Sequence, residues 1–175
     1  MVYFRGILFA GMLIFLFGCN GNSNIDTNSE ADIVQKSDGR ILLSLEDAYL
    51  LNDKKFPKRN TAEWNFTVTD KGRYEVWLIS YTKDTMNLSY DKPVIVHFGD
   101  TRLEALPIGN EIVLGDNRVE EPYYRADSRI GSILIEDTGN YNIQIISEKV
   151  VPSEESANNA AWTIMNRIML KPQTR

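Results

Sequence analysis

The chain of 175 residues has the length of one domain with appendages. Three Trp, eight Tyr and seven Phe are enough aromatics for a real core, and a single Cys rules out a disulfide within one chain. A net charge of −5 with no basic patch argues against a nucleic-acid partner and favours a soluble surface.

The first segment reads as targeting, not fold. Arg5 supplies a short positive region, and Ile7 to Phe17 is apolar apart from Gly11. This run falls short of the roughly 20 residues a membrane span needs. It ends in Leu16-Phe17-Gly18-Cys19, which resembles the bacterial lipobox. The resemblance implies a signal peptide over 1–18 and a diacylated, palmitate-bearing Cys19 that holds the protein to a membrane. Phe17 is bulkier than the usual occupant of its position. Without residues 1–18 the balance is 18 basic to 24 acidic residues, or −6, because Arg5 is lost and no acid is. Residues 20–38 are polar, with Ile25, Ile33 and Val34 the sizeable apolar exceptions, and read as a flexible tether. The domain is therefore expected over 39–175.

Ile41, Leu43 and Leu45 alternate with Leu42, Ser44 and Glu46, the period of a strand. Asp47 to Leu51 is expected to continue it through a bulge. Asn52 to Thr61, with Pro57 and four cations, is a loop. The central feature is Trp64 to Tyr81. Trp64, Phe66 and Val68 alternate with polar residues, Asp70-Lys71-Gly72-Arg73 supplies turn chemistry, and Tyr74, Val76 and Leu78 resume the period. Trp77, Ile79 and Tyr81 make the second face apolar as well, which predicts a strand covered on both sides. Trp64 and Trp77 are both expected to be buried.

A polar loop follows over 82–92. Strands are predicted at 93–98, 101–106, 111–114, 129–135 and 141–147, with loops over 115–127 and 148–161. The last strand, Trp162 to Leu170, should stop at Pro172. No stretch has helical periodicity with an apolar face. Many short strands at regular spacing mean an all-β sandwich or jelly roll.

The sequence also echoes itself. Phe66-x-Val68-x-Asp70-x-Gly72-x-Tyr74-x-Val76-x-Leu78 matches Ile133-x-Ile135-x-Asp137-x-Gly139-x-Tyr141-x-Ile143-x-Ile145. The simplest reading is two tight hairpins with one turn solution. If both lie the same way round, the loops 52–61, 82–92, 115–127 and 148–161 share one end.

From Leu43-x-Leu45-Glu46-Asp47-Ala48 through Ile164-Met165-Asn166-Arg167-Ile168-Met169-Leu170-Lys171-Pro172, these motifs resemble the galactose-binding-like jelly rolls. That group includes carbohydrate-binding modules and the accessory modules of bacterial fucosidases and sulfatases. The resemblance covers Arg40 to Pro172 and rests on scaffold motifs. It implies a β-sandwich jelly roll and a carbohydrate ligand. It also implies a structural calcium, held by acids of the first strand and an Asp of the last. Glu46 stands where one such acid falls, Ser44 replaces the other, and Asn166 stands near the Asp. No other cofactor is implied.

Catalytic signatures are missing. The single His97 sits in an apolar strand, where a structural role is the ordinary one. There is no nucleophile elbow, His/Cys metal spacing or phosphate loop. The acid pairs Glu120/Glu121 and Glu154/Glu155 read as solvated loop residues, although a glycosidase would need two facing carboxylates. Binding fits better. A sugar presents C–H faces for aromatic rings and hydroxyls for amides, carboxylates and guanidinium groups. The candidates at the shared loop end are Tyr90, Tyr123, Tyr124, Arg125, Asn158, Asn159 and Trp162. Only one of Tyr123 and Tyr124 is expected to face a ligand, since neighbours in a strand point opposite ways. The reading is a non-catalytic carbohydrate-binding lipoprotein of the cell envelope, lipid-anchored in the outer membrane of a Gram-negative bacterium. The alternative is a structural lipoprotein whose same loops dock an envelope protein or a glycan-degrading enzyme.

Overall fold

The computed structural model describes residues 33–116, 119–150 and 162–173. Two sheets pack face to face, so the all-β sandwich expected from strand spacing is the observed fold. The first sheet contains β1 (Ile33–Val34), β3 (Tyr49–Leu51), β4 (Thr61–Val68), β6 (Val94–Phe98), β7 (Thr101–Ala105) and β10 (Gly139–Ile146). Its order is β1-β4-β10-β6-β7, with β3 also on β4. The second contains β2 (Ile41–Ser44), β5 (Gly72–Thr82), β8 (Glu111–Val113), β9 (Tyr124–Ile135) and β11 (Thr163–Pro172), in the order β2-β11-β5-β9-β8. Among the described residues the only helical pieces are 3-10 turns at Leu45–Asp47 and Pro57–Arg59.

Alternation sends Trp64, Phe66, Val68, Val96, Ile143 and Ile145 inward from the first sheet. Tyr74, Val76, Leu78, Ile133, Ile168 and Leu170 meet them from the second, in one cluster. Each such fully buried aliphatic side chain contributes about 1.5–3 kcal/mol. Trp64 is buried as expected, and its indole N–H donates to the Ser44 carbonyl at 2.6 Å.

The two echoing motifs are not hairpins. β4 and β5 lie in different sheets, and so do β9 and β10. Each turn is an arch that carries the chain across the sandwich. The arches then pair with each other: β4 with β10 and β5 with β9, both antiparallel. Phe66 lies opposite Tyr141, and Tyr74 lies opposite Ile133, so the equivalent residues exchange places. The repeat is thus a local two-fold arrangement. Its D-x-G-x-Y signature has a physical role in each copy. Gly72 and Gly139 take φ of 153° and 141°, a region that disfavours any side chain. The Tyr74 hydroxyl donates to the Asp70 carbonyl, and the Tyr141 hydroxyl donates to the Asp137 carbonyl.

Three other expectations change. The strand from Ile41 does not continue through a bulge; the 3-10 turn at Leu45–Asp47 passes the chain to the other sheet, where β3 pairs with β4. β11 runs through Pro172 rather than stopping before it, because β2 covers β11 only as far as Leu170. Residues 33–35, inside the expected tether, already belong to the sandwich: β1 runs parallel to β4, and Gln35 is buried. The Gln35 amide donates to the Gly39 carbonyl and the Tyr74 hydroxyl, both at 2.7 Å. Its carbonyl accepts from the Thr69 and Asp70 N–H groups and from the Thr69 hydroxyl.

Candidate functional site

Paired arches set the long loops at one end. The Asn60 amide donates to the Val150 carbonyl at 2.9 Å, and Ser147 N–H to the Asn60 carbonyl at 3.0 Å. Asp91 N–H donates to Glu148. The Lys83 and Thr82 side of β5 reaches the Trp162 carbonyl, at 2.8 Å from Lys83 N–H and 3.2 Å from the Thr82 hydroxyl. The Lys83 ammonium lies 5.0 Å from the centre of the Tyr123 ring. The described parts of the four loops therefore meet at one end, although the echoing motifs that set them there are arches and not the hairpins expected.

Of the candidate residues, Trp162 and Tyr124 are the exposed aromatics, at 63% and 47% exposure. Tyr124 lies opposite Thr82 on β5, and Trp162 directly precedes Thr163, which lies opposite the same Thr82 on the other side. Tyr123 is half-buried beneath Lys83, consistent with only one of the two tyrosines being presented. Tyr90 is a correction: it is a core residue, its hydroxyl bonded to the buried Ser80 at 2.9 Å and its ring covered by Lys149. Burial raises the ionisation of this phenol well above its ordinary value. Asn158 and Asn159 lie outside the described residues, as does Cys19.

Arg125 is not a rim residue. It lies half-buried on the outer face of the second sheet, bidentate on Asp127 at 2.7 and 2.6 Å and bonded to Asp116 at 3.0 Å. Asp127 first, then Asp116, holds the guanidinium above its ordinary pKa against the opposing effect of burial. The cluster fastens the loop at Asp116 to β9.

That outer face holds what the sequence pattern did not resolve. Trp77, Ile79 and Met169 are buried on it, with Leu42 and Tyr81 packed beside them. Among the described residues no further layer covers them, contrary to the two-sided cover predicted for β5. Long charged side chains lie over the apolar atoms instead. Lys171 stands 5.7 Å over the Trp77 ring, whose N–H donates to Glu75, and Arg129 pairs with Glu75 at 2.9 Å. Next to this patch is a groove of about 160 Å³, lined by Lys36, Arg40, Leu42, Ile79, Tyr81, Arg125, Arg167 and Met169. The signal in the sequence was the second apolar face of β5. The register that brings Arg167 opposite Ile79 was not visible.

The outer face of the first sheet has a broader depression of about 450 Å³ around His97, Asn142 and Gln144. Its amides are engaged with β4 beside it: Asn142 donates to Glu63 and Asn65, and Gln144 to Glu63. His97 lies opposite Gln144 in the strand ladder, its expected structural setting.

The implied calcium does not fit the residues present. Glu46 is exposed on the 3-10 turn, and the Asn166 carbonyl accepts from Arg167 Nε at 2.5 Å. A guanidinium at that oxygen opposes a divalent cation, which needs six to eight oxygens. Among the described residues no three acidic, His or Cys side chains cluster for a metal.

No family model and no curated protein matches the chain. Solved structures do. An α-L-fucosidase from Vibrio sp. strain EJY3 is similar over 81% of this chain, at 16% identity and a TM-score of 0.64. The match covers 24% of the fucosidase, so the chain spans about a quarter of that enzyme. A β-(1,4)-mannanase from Podospora anserina, described as GH26-CBM35, matches over 79% of this chain and 28% of its own, at 16% identity and a TM-score of 0.47. The insecticidal crystal protein Cry2Aa matches over 79% and 22%, at 12% identity and 0.44. The fucosidase likeness establishes a shared fold, that of a β-sandwich.

Proposed function

We propose that this protein is a non-catalytic glycan-binding lipoprotein of the bacterial envelope. The observation that carries the reading is a pair of exposed aromatic rings, Trp162 and Tyr124, at the loop end of the second sheet, whose outer face also carries a groove lined by Tyr81, Arg125 and Arg167. Pyranose rings need that combination of aromatic face and directional polar partners. A likeness in fold to part of a fucosidase supports the same reading, because the matched piece is a minority of that enzyme. The two carboxylates drawn together on the outer face, Asp116 and Asp127, share one guanidinium. A hydrolase would need such a pair turned toward a substrate. The lipobox-like Leu16-Phe17-Gly18-Cys19 supports anchoring through Cys19 in the outer membrane of a Gram-negative cell.

The test is glycan-array and affinity-gel binding of the full chain in detergent. Retention on at least one glycan is expected, falling tenfold or more in Trp162→Ala and Tyr124→Ala while the melting temperature holds. A folded protein that retains no glycan refutes the reading and favours the docking alternative, for which envelope pull-down is the next step. Palmitate labelling that persists in Cys19→Ser would refute the anchor.

A further inference from the structure

Four cations line the groove of a protein that is acidic overall: Lys36, Arg40, Arg125 and Arg167. Two of them are neutralised within the fold. Arg40 pairs with Asp38 at 2.5 Å, and Arg125 pairs with Asp127 and Asp116. Among the described residues Arg167 and Lys36 pair with no carboxylate. Arg167 donates to the Asn166 carbonyl at 2.5 Å and lies 3.4 Å from the Tyr81 hydroxyl, both uncharged acceptors. Arg167 therefore faces the concavity without a paired carboxylate, and Lys36 adds a second positive charge that feels Asp38 only at longer range.

The fold aims them there. A bulge between Met165 and Arg167 inserts Asn166 into β11. Met165 and Ile168 both stay in the core on either side of it, and Arg167 lands opposite Ile79 on the outer face. A bulge is a means of redirecting one side chain. Lys36 is placed by the turn that Gln35 anchors, closed by Lys36 N–H to the Arg40 carbonyl at 2.8 Å. Beside the two cations lie the half-buried Leu42 side chain and Tyr81 ring, while Ile79 and Met169 beneath them are almost fully covered. The groove of about 160 Å³ is open to solvent, so it receives one edge of a sugar ring and leaves the rest outside.

We propose that this groove binds an acidic sugar. The carboxylate or sulfate group of the sugar is held by Arg167 and Lys36, and its ring lies beside the half-buried Leu42 and Tyr81. The guanidinium fork matches the paired oxygens of either anion, and the ammonium adds a point charge. This deepens the glycan reading above and rests on it.

The experiment compares matched polymers on the full chain in detergent. Polygalacturonate is set against its carboxyl-reduced form, and dextran sulfate against dextran, at low and high salt. The acidic member of at least one pair should bind at least tenfold tighter, more so at low salt. Preference in the first pair identifies a carboxylate, and in the second a sulfate. Arg167→Gln should reduce that affinity at least tenfold, to the level of the neutral polymer. Lys36→Gln should reduce it severalfold, and Arg167→Lys should fall in between. Arg102→Gln, on the other sheet, should change nothing, which separates the site from general charge attraction. If Arg167→Gln does not fold, Lys36→Gln and Arg167→Lys decide. Equal binding of neutral and acidic polymers, or unchanged affinity in folded Arg167 and Lys36 variants, overturns the inference and leaves the glycan reading standing. Failure to bind any acidic polymer also overturns it. Loss of every glycan, neutral ones included, overturns both.

Discussion

Gln35→Ala should destabilise the domain far more than a surface substitution next to a tether would. The side chain makes five hydrogen bonds, two donated and three accepted, and only 8% of the residue is exposed. A net hydrogen bond contributes about 0.5–1.5 kcal/mol, and a buried partner left unmatched costs more. Water reaches the exposed Thr69 and Asp70 and replaces part of that loss, and the Tyr74 hydroxyl keeps its bond to Asp70. The deficit should be about 2–4 kcal/mol, a large part of a typical 5–15 kcal/mol stability. In a domain of this size that lowers the melting temperature by roughly 5–15 °C. Thermal and guanidinium unfolding followed by circular dichroism would read it. Gln35→Glu should be at least as damaging at neutral pH, since it removes both donors and buries a charge. Its deficit should shrink in acid, where the protonated carboxyl regains one donor. Removing everything before Gly39 should cost at least as much as Gln35→Ala. A loss below about 1 kcal/mol would refute the reasoning, and would mean that β1 and its turn are not integral to the sandwich.

Arg125→Met strips Asp127 of its guanidinium at a site 2% exposed, and guanidinium unfolding should show a loss of about 3–5 kcal/mol. Replacing Asp127 by Leu as well should recover part of it. Tyr90→Phe removes a bond to the fully buried Ser80 and should cost about 1–2 kcal/mol in melting experiments, with glycan retention unchanged. The Glu75 carboxyl is held below its ordinary pKa of 4.5, first by the Trp77 N–H and then by Arg129 and Gln173. A depressed folded value means that this stabilisation is complete above about pH 4.5 and is lost as pH falls toward the folded value. Stability measured against pH should therefore fall less steeply on the acid side in Glu75→Gln. An unchanged acid limb would show that Glu75 does not contribute.

Most strands were legible because alternation is a local property. Ile41/Leu43, Trp64/Phe66/Val68 and Tyr74/Val76/Leu78 announce which side faces inward wherever the neighbours lie. Partnership is not local. Asp70 to Tyr74 encodes a turn stabilised by its own tyrosine, but whether the flanking strands pair with each other or enter opposite sheets depends on β9 and β10, some sixty residues away. The same limit hid β1: Ile33, Val34 and Gln35 look like three residues of a polar tether until Thr67 and Thr69 are placed beside them. For the site, exposure decided what composition could not. Tyr90, Tyr124 and Trp162 are equivalent as aromatic loop residues, yet one is core and two are rim. Arg125 was visible as a polar partner for a ligand but not as the clasp of two aspartates. Arg167 stayed hidden because only the bulge at Asn166 turns it outward.

The position of Gln35 has a mechanical consequence. It sits beside the Asp70 turn, at the end of the sandwich away from the loops around Asn60 and Lys83, and directly follows β1, which pairs with β4. The distance from that end to the Trp162 rim is close to the length of β5, whose 11 residues at about 3.3 Å each give about 35 Å. A polymer pulling on the rim while the chain is held before Ile33 therefore loads the strands lengthwise. The hydrogen bonds of the ladders lie across that line and share the force in shear instead of opening one after another. Among the described residues, the first bonds to feel it are those of Gln35 and β1.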